Sequence, residues 1–190
     1  KKVDKIEKKV EEIIKPISTK TGRKKVWRAA AILLPIIGLS FISITQEDKI
    51  NDLYENILKV AFEQIEVLVG ENKKLTLEGD ELFYIRSFYE HSIEKWSYES
   101  YDGAKELLFI LTQIVDDEKL MLALNMHLVM CSKQINLDDF YDKYVDNDAS
   151  NDNEKYGYFI VNYKIDVENF LKENKDVLDT EYENLKHLMD

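Results

Sequence analysis

Glycine and proline are scarce in this 190-residue sequence, which has six of one and two of the other. A many-turned β architecture leans on both residues, so their shortage argues for long uninterrupted helices. Cys131 is the only cysteine, so no intrachain disulfide can form and nothing points to an oxidising compartment. No Asn-x-Ser/Thr sequon occurs, and the phosphate-binding glycine loop, His-Glu-x-x-His and the nucleophile elbow are missing. The chain opens on lysine, so its start is no guide to targeting. These absences lead to an all-α expectation: a multi-helix bundle of about six to eight helices, with an N-terminal amphipathic arm and one strongly apolar helix.

What is present is polarised. A hydrophobic content of 45% suits a folded core, but the formal net charge of -11 is unevenly spread. Residues 1–28 hold eleven Lys and Arg against four Asp and Glu, whereas the remainder holds fifteen against thirty-three. A basic arm ahead of an acidic body can meet an anionic surface only through the arm. Three segments follow from this pattern: a basic helical arm and linker at 1–22, an apolar helix at 23–45 and an acidic helical domain at 46–190.

In the arm, Val3, Ile6, Val10 and Ile13 recur at spacings of three and four, a coiled-coil-like stripe suited to pairing with another helix. Pro16 ends it, and Ser18 to Gly22 reads as a linker. From Ala29 to Thr45 no charged residue appears in seventeen positions. As a helix this run spans about 25 Å, somewhat less than the ~30 Å hydrocarbon core of a bilayer, although Trp27 and a snorkelling Arg28 extend its reach. Arg23, Lys24, Lys25 and Arg28 precede it while Glu47 and Asp48 follow, the charge step of a segment whose N-terminal end faces the cytoplasm. Membrane contact therefore competes with a buried soluble helix, and a short strand from Ile36 onward is a third reading. In either of the first two, Ile32, Leu34, Ile37 and Phe41 carry the apolar surface.

Periodicity marks the body. Ile50 to Leu68 reads as a helix, residues 71–79 as a polar connection, and Asp80 as the cap of a helix bearing Leu82, Phe83, Ile85, Phe88, Tyr89, Ile93 and Trp96. A turn near Tyr98 to Gly103 leads to a helix with Leu107, Leu108, Leu111 and Ile114. Asp116, Asp117 and Glu118 sit where a helix dipole favours acid, ahead of a nearly all-apolar segment expected to be the central helix. Asn136 caps a short helix through Tyr144. Tyr156 to Ile165 has the residue types of a strand, yet with no visible partner strand it is assigned to helix. Val167 to Leu188 is read as one last amphipathic stretch.

Four constellations invite a chemical reading. His127 and Cys131 are four apart on one helical face, the spacing of two metal ligands or of a thiol and its base, but their surroundings are apolar and a core position is expected. His91 with Glu90 and Glu94 reads as a solvated helical edge. None of the three histidines has Glu three residues before it, so the di-iron pattern is excluded. Asp146, Asp148, Ser150 and Asp152 alternate as calcium ligands do, but Asn151 and Gly157 stand where that loop needs Gly and Glu. Arg23, Lys24, Lys25 and Arg28 with Trp27 suit a bilayer interface better than nucleic acid, given so small a basic footprint beside an acidic body.

The pattern thus points to a non-enzymatic protein-interaction module with no cofactor and no metal. It presents an acidic surface to a protein partner and attaches through 23–45 to a membrane or another subunit, at the cytoplasm or its membrane face. Homo-oligomerisation through the arm is compatible with this. The competing expectation is a wholly soluble bundle acting as an inhibitor, immunity protein or adaptor for a basic partner, and an enzyme of unknown type ranks third.

Overall fold

The computed structural model describes residues 56, 59, 60, 63, 73–149 and 154–189. The pairing stripe Val3, Ile6, Val10 and Ile13 lies outside them. So do Arg23, Lys24, Lys25, Trp27, Arg28, Ile32, Leu34, Ile37 and Phe41, and with them the expected apolar helix. Among the described residues no helix is long and apolar enough to cross a membrane.

Within the described region the protein is helical, with six α-helices and no strand: α1 Gly79–Ser97, α2 Tyr101–Ile114, α3 Glu118–Ser132, α4 Leu137–Tyr144, α5 Val167–Glu173 and α6 Lys175–Leu185. Short 3-10 turns occupy Glu154–Tyr156 and Lys186–Leu188. α1 packs on α2, α2 on α3, and α5 and α6 close over α3. α3 is the central element, burying Leu120, Ala123, Leu124, Met126, Leu128, Val129 and Met130 as well as His127 and Cys131. Its residues are apolar nearly all round because neighbours cover it nearly all round.

The local signals work unevenly. Asn136 caps α4 by accepting from the Asp139 amide at 2.8 Å, as the sequence suggests, and Asp117, expected only as acid at the helix start, caps α3 by accepting from the Leu120 amide at 2.9 Å. Asp80 does not cap α1. It sits in the first turn, and Glu81 reaches back instead to accept from the Thr76 amide and hydroxyl at 2.7 and 2.8 Å. The polar connection 71–79 is also more than a linker. Leu75 is fully buried and pairs with Val115 in a parallel bridge, its amide donating to Ile114 at 2.7 Å and its carbonyl accepting from Asp116 at 2.8 Å. Two isolated leucines among Lys, Thr and Glu give no periodicity, so only this docking reveals their role.

The turn after α1 is tighter than expected, because Glu99 takes the left-handed conformation at φ 60 and α2 begins at Tyr101. Gly103 therefore lies inside α2, where a Cβ would stand 3.2 Å from the Lys95 Cδ. The missing side chain is what lets the buried Lys95 stem cross between the two helices.

Tyr156 to Ile165 is not the helix that was expected. Its partner is not a second strand but the C-terminal end of α4: Tyr163 bridges Val145 in antiparallel fashion, Lys164 donates to the Tyr144 carbonyl at 2.8 Å, and Asp146 donates to the Asn162 carbonyl at 3.0 Å. The last stretch is two helices, broken at Asn174, whose amide side chain donates to the Phe170 carbonyl at 2.7 Å and accepts from Lys133.

Candidate functional site

Three helices and one extended segment converge on His127. α3 carries the imidazole and α1 brings Tyr89 and Trp96 against it, with ring centroids 5.8 and 5.6 Å away. α4 brings Phe140 to 5.3 Å, and the 156–165 segment brings Tyr163 to 6.3 Å. Trp96 and Phe140 also meet at 4.8 Å, and the indole N–H donates to the Ile135 carbonyl at 2.7 Å. The rings are tilted or edge-on, the geometry aromatic quadrupoles favour.

The proton positions follow from the partners. The Tyr163 hydroxyl donates to the Ile160 carbonyl at 2.5 Å, so its oxygen must accept from His127 Nε2–H at 3.0 Å. The Nδ1 atom then carries a lone pair and faces the rings with no hydrogen-bond partner among the described residues. Burial lowers the His127 pKa from 6.5 to about 3, so the ring is neutral. Tyr89, Tyr163 and Tyr141 are pushed the other way. Burial first, then the neighbouring phenols, raise Tyr89 and Tyr163 well above their ordinary value, and burial takes Tyr141 to about 12.

His127 and Cys131 do share a helical face, and both have 0% exposure. Burial raises the Cys131 thiol well above its ordinary range, which disfavours the thiolate that nucleophilic or metal-binding roles require. His91 corrects the sequence reading more sharply. It is buried, not on a solvated edge, and its Nδ1 lies 2.9 Å from Glu94 Oε2. Among the described residues no cluster of three or more His, Cys, Asp or Glu could hold a metal ion. Of the calcium-like alternation, Asp146 and Asp148 are described, and Asp146 Oδ1 simply accepts from the Asp148 amide at 3.1 Å.

A second polar centre sits at the N-terminus of α3. Asp117 accepts from Lys155 Nζ at 2.9 Å and from the Tyr156 hydroxyl at 3.0 Å, in addition to its capping bond. Burial alone would raise its pKa, but the Leu120 amide, Lys155 and Tyr156 together outweigh that and lower it. Sequence reasoning identified Asp117 only as part of an acidic helix start. It missed Tyr89 and Tyr163 as polar groups altogether, because their partners lie 71 and 36 residues away.

Away from this packed centre, α4 carries exposed carboxylates. Asn136 to Glu154 contains seven carboxylates and one lysine. Asp138 and Asp142 lie one turn apart on the exposed side of α4 and their carboxylates form no ion pair among the described residues, although Lys164 Nζ donates to the Asp142 main-chain carbonyl at 3.0 Å; Lys143 is taken by Asp139 at 3.2 Å. No protein family, curated protein or solved structure matches the chain. The geometry is therefore its own guide.

Proposed function

We propose that this protein is a non-enzymatic helical interaction module that presents the acidic edge of α4 and the loop behind it to a basic protein partner. The reading rests on one observation: Asp138 and Asp142 stand exposed, their carboxylates without an ion pair among the described residues, on a helix anchored from beneath by the buried Phe140, with Asp146 and Asp148 continuing the same charge. Unpaired surface carboxylates of one sign steer a basic partner and fix its register. A rigid scaffold beneath them keeps the charges placed, so less order must be imposed on binding.

The second part of the proposal concerns attachment. The run 23–45 supplies the anchor, with Arg23, Lys24, Lys25, Trp27 and Arg28 at its border, holding the acidic module at a membrane or on another subunit. The uncharged stretch within it, from Ala29 to Thr45, is unfavourable in water and calls for lipid, a partner or the chain's own core to cover it.

The test has two arms. Binding partners are captured at low and high salt with the wild-type chain and with an Asp138→Asn, Asp142→Asn, Asp148→Asn variant. The expected result is a basic protein retained by wild type at low salt and lost in the variant, while identical capture by both would refute the acidic edge. Flotation with vesicles, for the full chain and for one lacking residues 1–45, reads the anchor. A full chain that stays monodisperse without detergent and never floats would favour the wholly soluble bundle.

A further inference from the structure

The segment from Glu154 to Ile165 is held down mostly by side chains, its backbone ties to the rest of the fold being the Lys164 amide on the Tyr144 carbonyl at 2.8 Å and the Asp146 amide on the Asn162 carbonyl at 3.0 Å, beside the Val145–Tyr163 bridge. At its first end Lys155 and Tyr156 grip Asp117. Tyr158 lies under the Arg86 guanidinium, 3.7 Å from ring centroid to Cζ, and Arg86 in turn pairs with Glu90. The Ile160 amide donates to the Tyr89 hydroxyl at 3.0 Å, Lys119 reaches Asn162 at 3.1 Å, and Tyr163 completes the series on His127. Phe159 and Val161 are buried beneath. A segment with this few backbone ties opens more cheaply than the helices under it.

We propose that this segment is an acid-released strap over the aromatic groove formed by α1, α3 and α4, latched by the neutral His127 imidazole at one end and by the Asp117 carboxylate at the other. Both latches fail in the same direction. A proton added to His127 goes to Nδ1, where it meets ring edges and faces and finds no acceptor, while the Tyr163 oxygen is already in use. A charged imidazolium is then trapped in a dry aromatic cage, and lifting the strap is what lets water reach it.

The groups facing His127 do not offset this. From α1 and the strap they are Tyr89 and Tyr163, both kept as neutral phenols, with the rings of Trp96 from α1 and Phe140 from α4; behind Phe140 lies Tyr141, also a neutral phenol. Cys131 follows one turn along α3 as a neutral thiol. The charges from α2 and α6 are spent on one another, Lys105 lying 3.2 Å from both Asp102 and Glu181, and Tyr182 of α6 bonds Asn125. From the connection between α5 and α6, Asn174 takes Lys133. No carboxylate shifts the imidazole; burial does so alone.

The sign is set by linkage. The closed form refuses a proton between 6.5 and about 3 that the open form accepts. Strap stability is therefore complete above the first value and falls as pH drops, the opening constant growing about tenfold per pH unit. Asp117 acts later. Its lowered pKa gives stability above 3.8, lost only as pH falls further.

Hydrogen exchange of the full chain, with each rate divided by its intrinsic value at that pH, reads the strap directly. Amides of 157–165 should exchange about 100-fold faster two pH units below 6.5, while those of α1 to α3 keep their protection. His127→Gln retains an N–H for Tyr163 without titrating and should flatten that rise. Should this variant not fold, the wild-type imidazole resonances decide, since they must titrate only where the strap signals change. A flat strap profile, loss of strap and helices together, or an unchanged rise in His127→Gln would overturn the proposal.

Discussion

Replacing Phe140 with alanine tests the packing argument most directly. The ring has 0% exposure and touches Trp96, His127, Tyr141, Tyr144 and Tyr163, with centroid separations from 4.8 to 6.2 Å. Truncation of a buried phenylalanine costs about 3–5 kcal/mol, through lost transfer free energy plus the cavity left behind. Collapse is resisted here because three of the neighbours, Trp96, His127 and Tyr163, are held by their own hydrogen bonds. The expected loss is therefore about 4 kcal/mol, a large part of the roughly 5–15 kcal/mol that holds an ordinary domain folded. Phe140→Leu should cost about 1–2 kcal/mol, since most of the volume is restored but the ring contacts are not. α4 has only eight residues and cannot persist alone, so its acidic edge should be displaced with the ring. The assay is urea unfolding followed by circular dichroism and, in a Trp27→Phe background, by Trp96 emission, with the slope checked against wild type. A loss below about 1.5 kcal/mol at unchanged slope would mean that the ring does not fill the site, and the account of α4 would fail.

Two further outcomes follow from the buried polar groups. Tyr89, Tyr141 and Tyr163 hold their protons above the ordinary value of 10.0 in the folded state, so stability is complete below that pH and falls as pH rises toward about 12. The slope should approach about 4 kcal/mol per pH unit, three phenols at ~1.4 each, and a flat alkaline profile would contradict their burial. Cys131, at 0% exposure with a raised thiol pKa, should resist an aromatic disulfide reagent in the native protein and react at once in denaturant. Rapid native labelling would place it at the surface instead.

Much of the helical skeleton was legible from local signals. Asn136 marks its helix because a short polar side chain answers an orphan amide three residues away, an interaction written within one turn, and the acid at 116–118 marks the start of α3 through the helix dipole. α3 announced itself by having no polar face. The failures share a cause as well: Leu75, the 156–165 strap and buried His91 are decided by partners distant in sequence or by cover from other elements, and no periodicity encodes that. Tyr156 to Ile165 carried genuine strand residues, yet its pairing partner was a helix end.

By itself, then, the order of residues determined the helical class, the cap of α4, the acidic start and central place of α3, and the uneven charge between residues 1–28 and the rest, since each depends on contacts within a few residues or on composition. Tertiary structure alone decided that His127 is a neutral donor to Tyr163, that Asp117 serves the strap as well as its own helix, and that Asp138 and Asp142 stand over a fixed aromatic base. Protonation state and hydrogen-bond role depend on what surrounds a group in space. That environment exists only once α1, α3, α4 and the strap have come together.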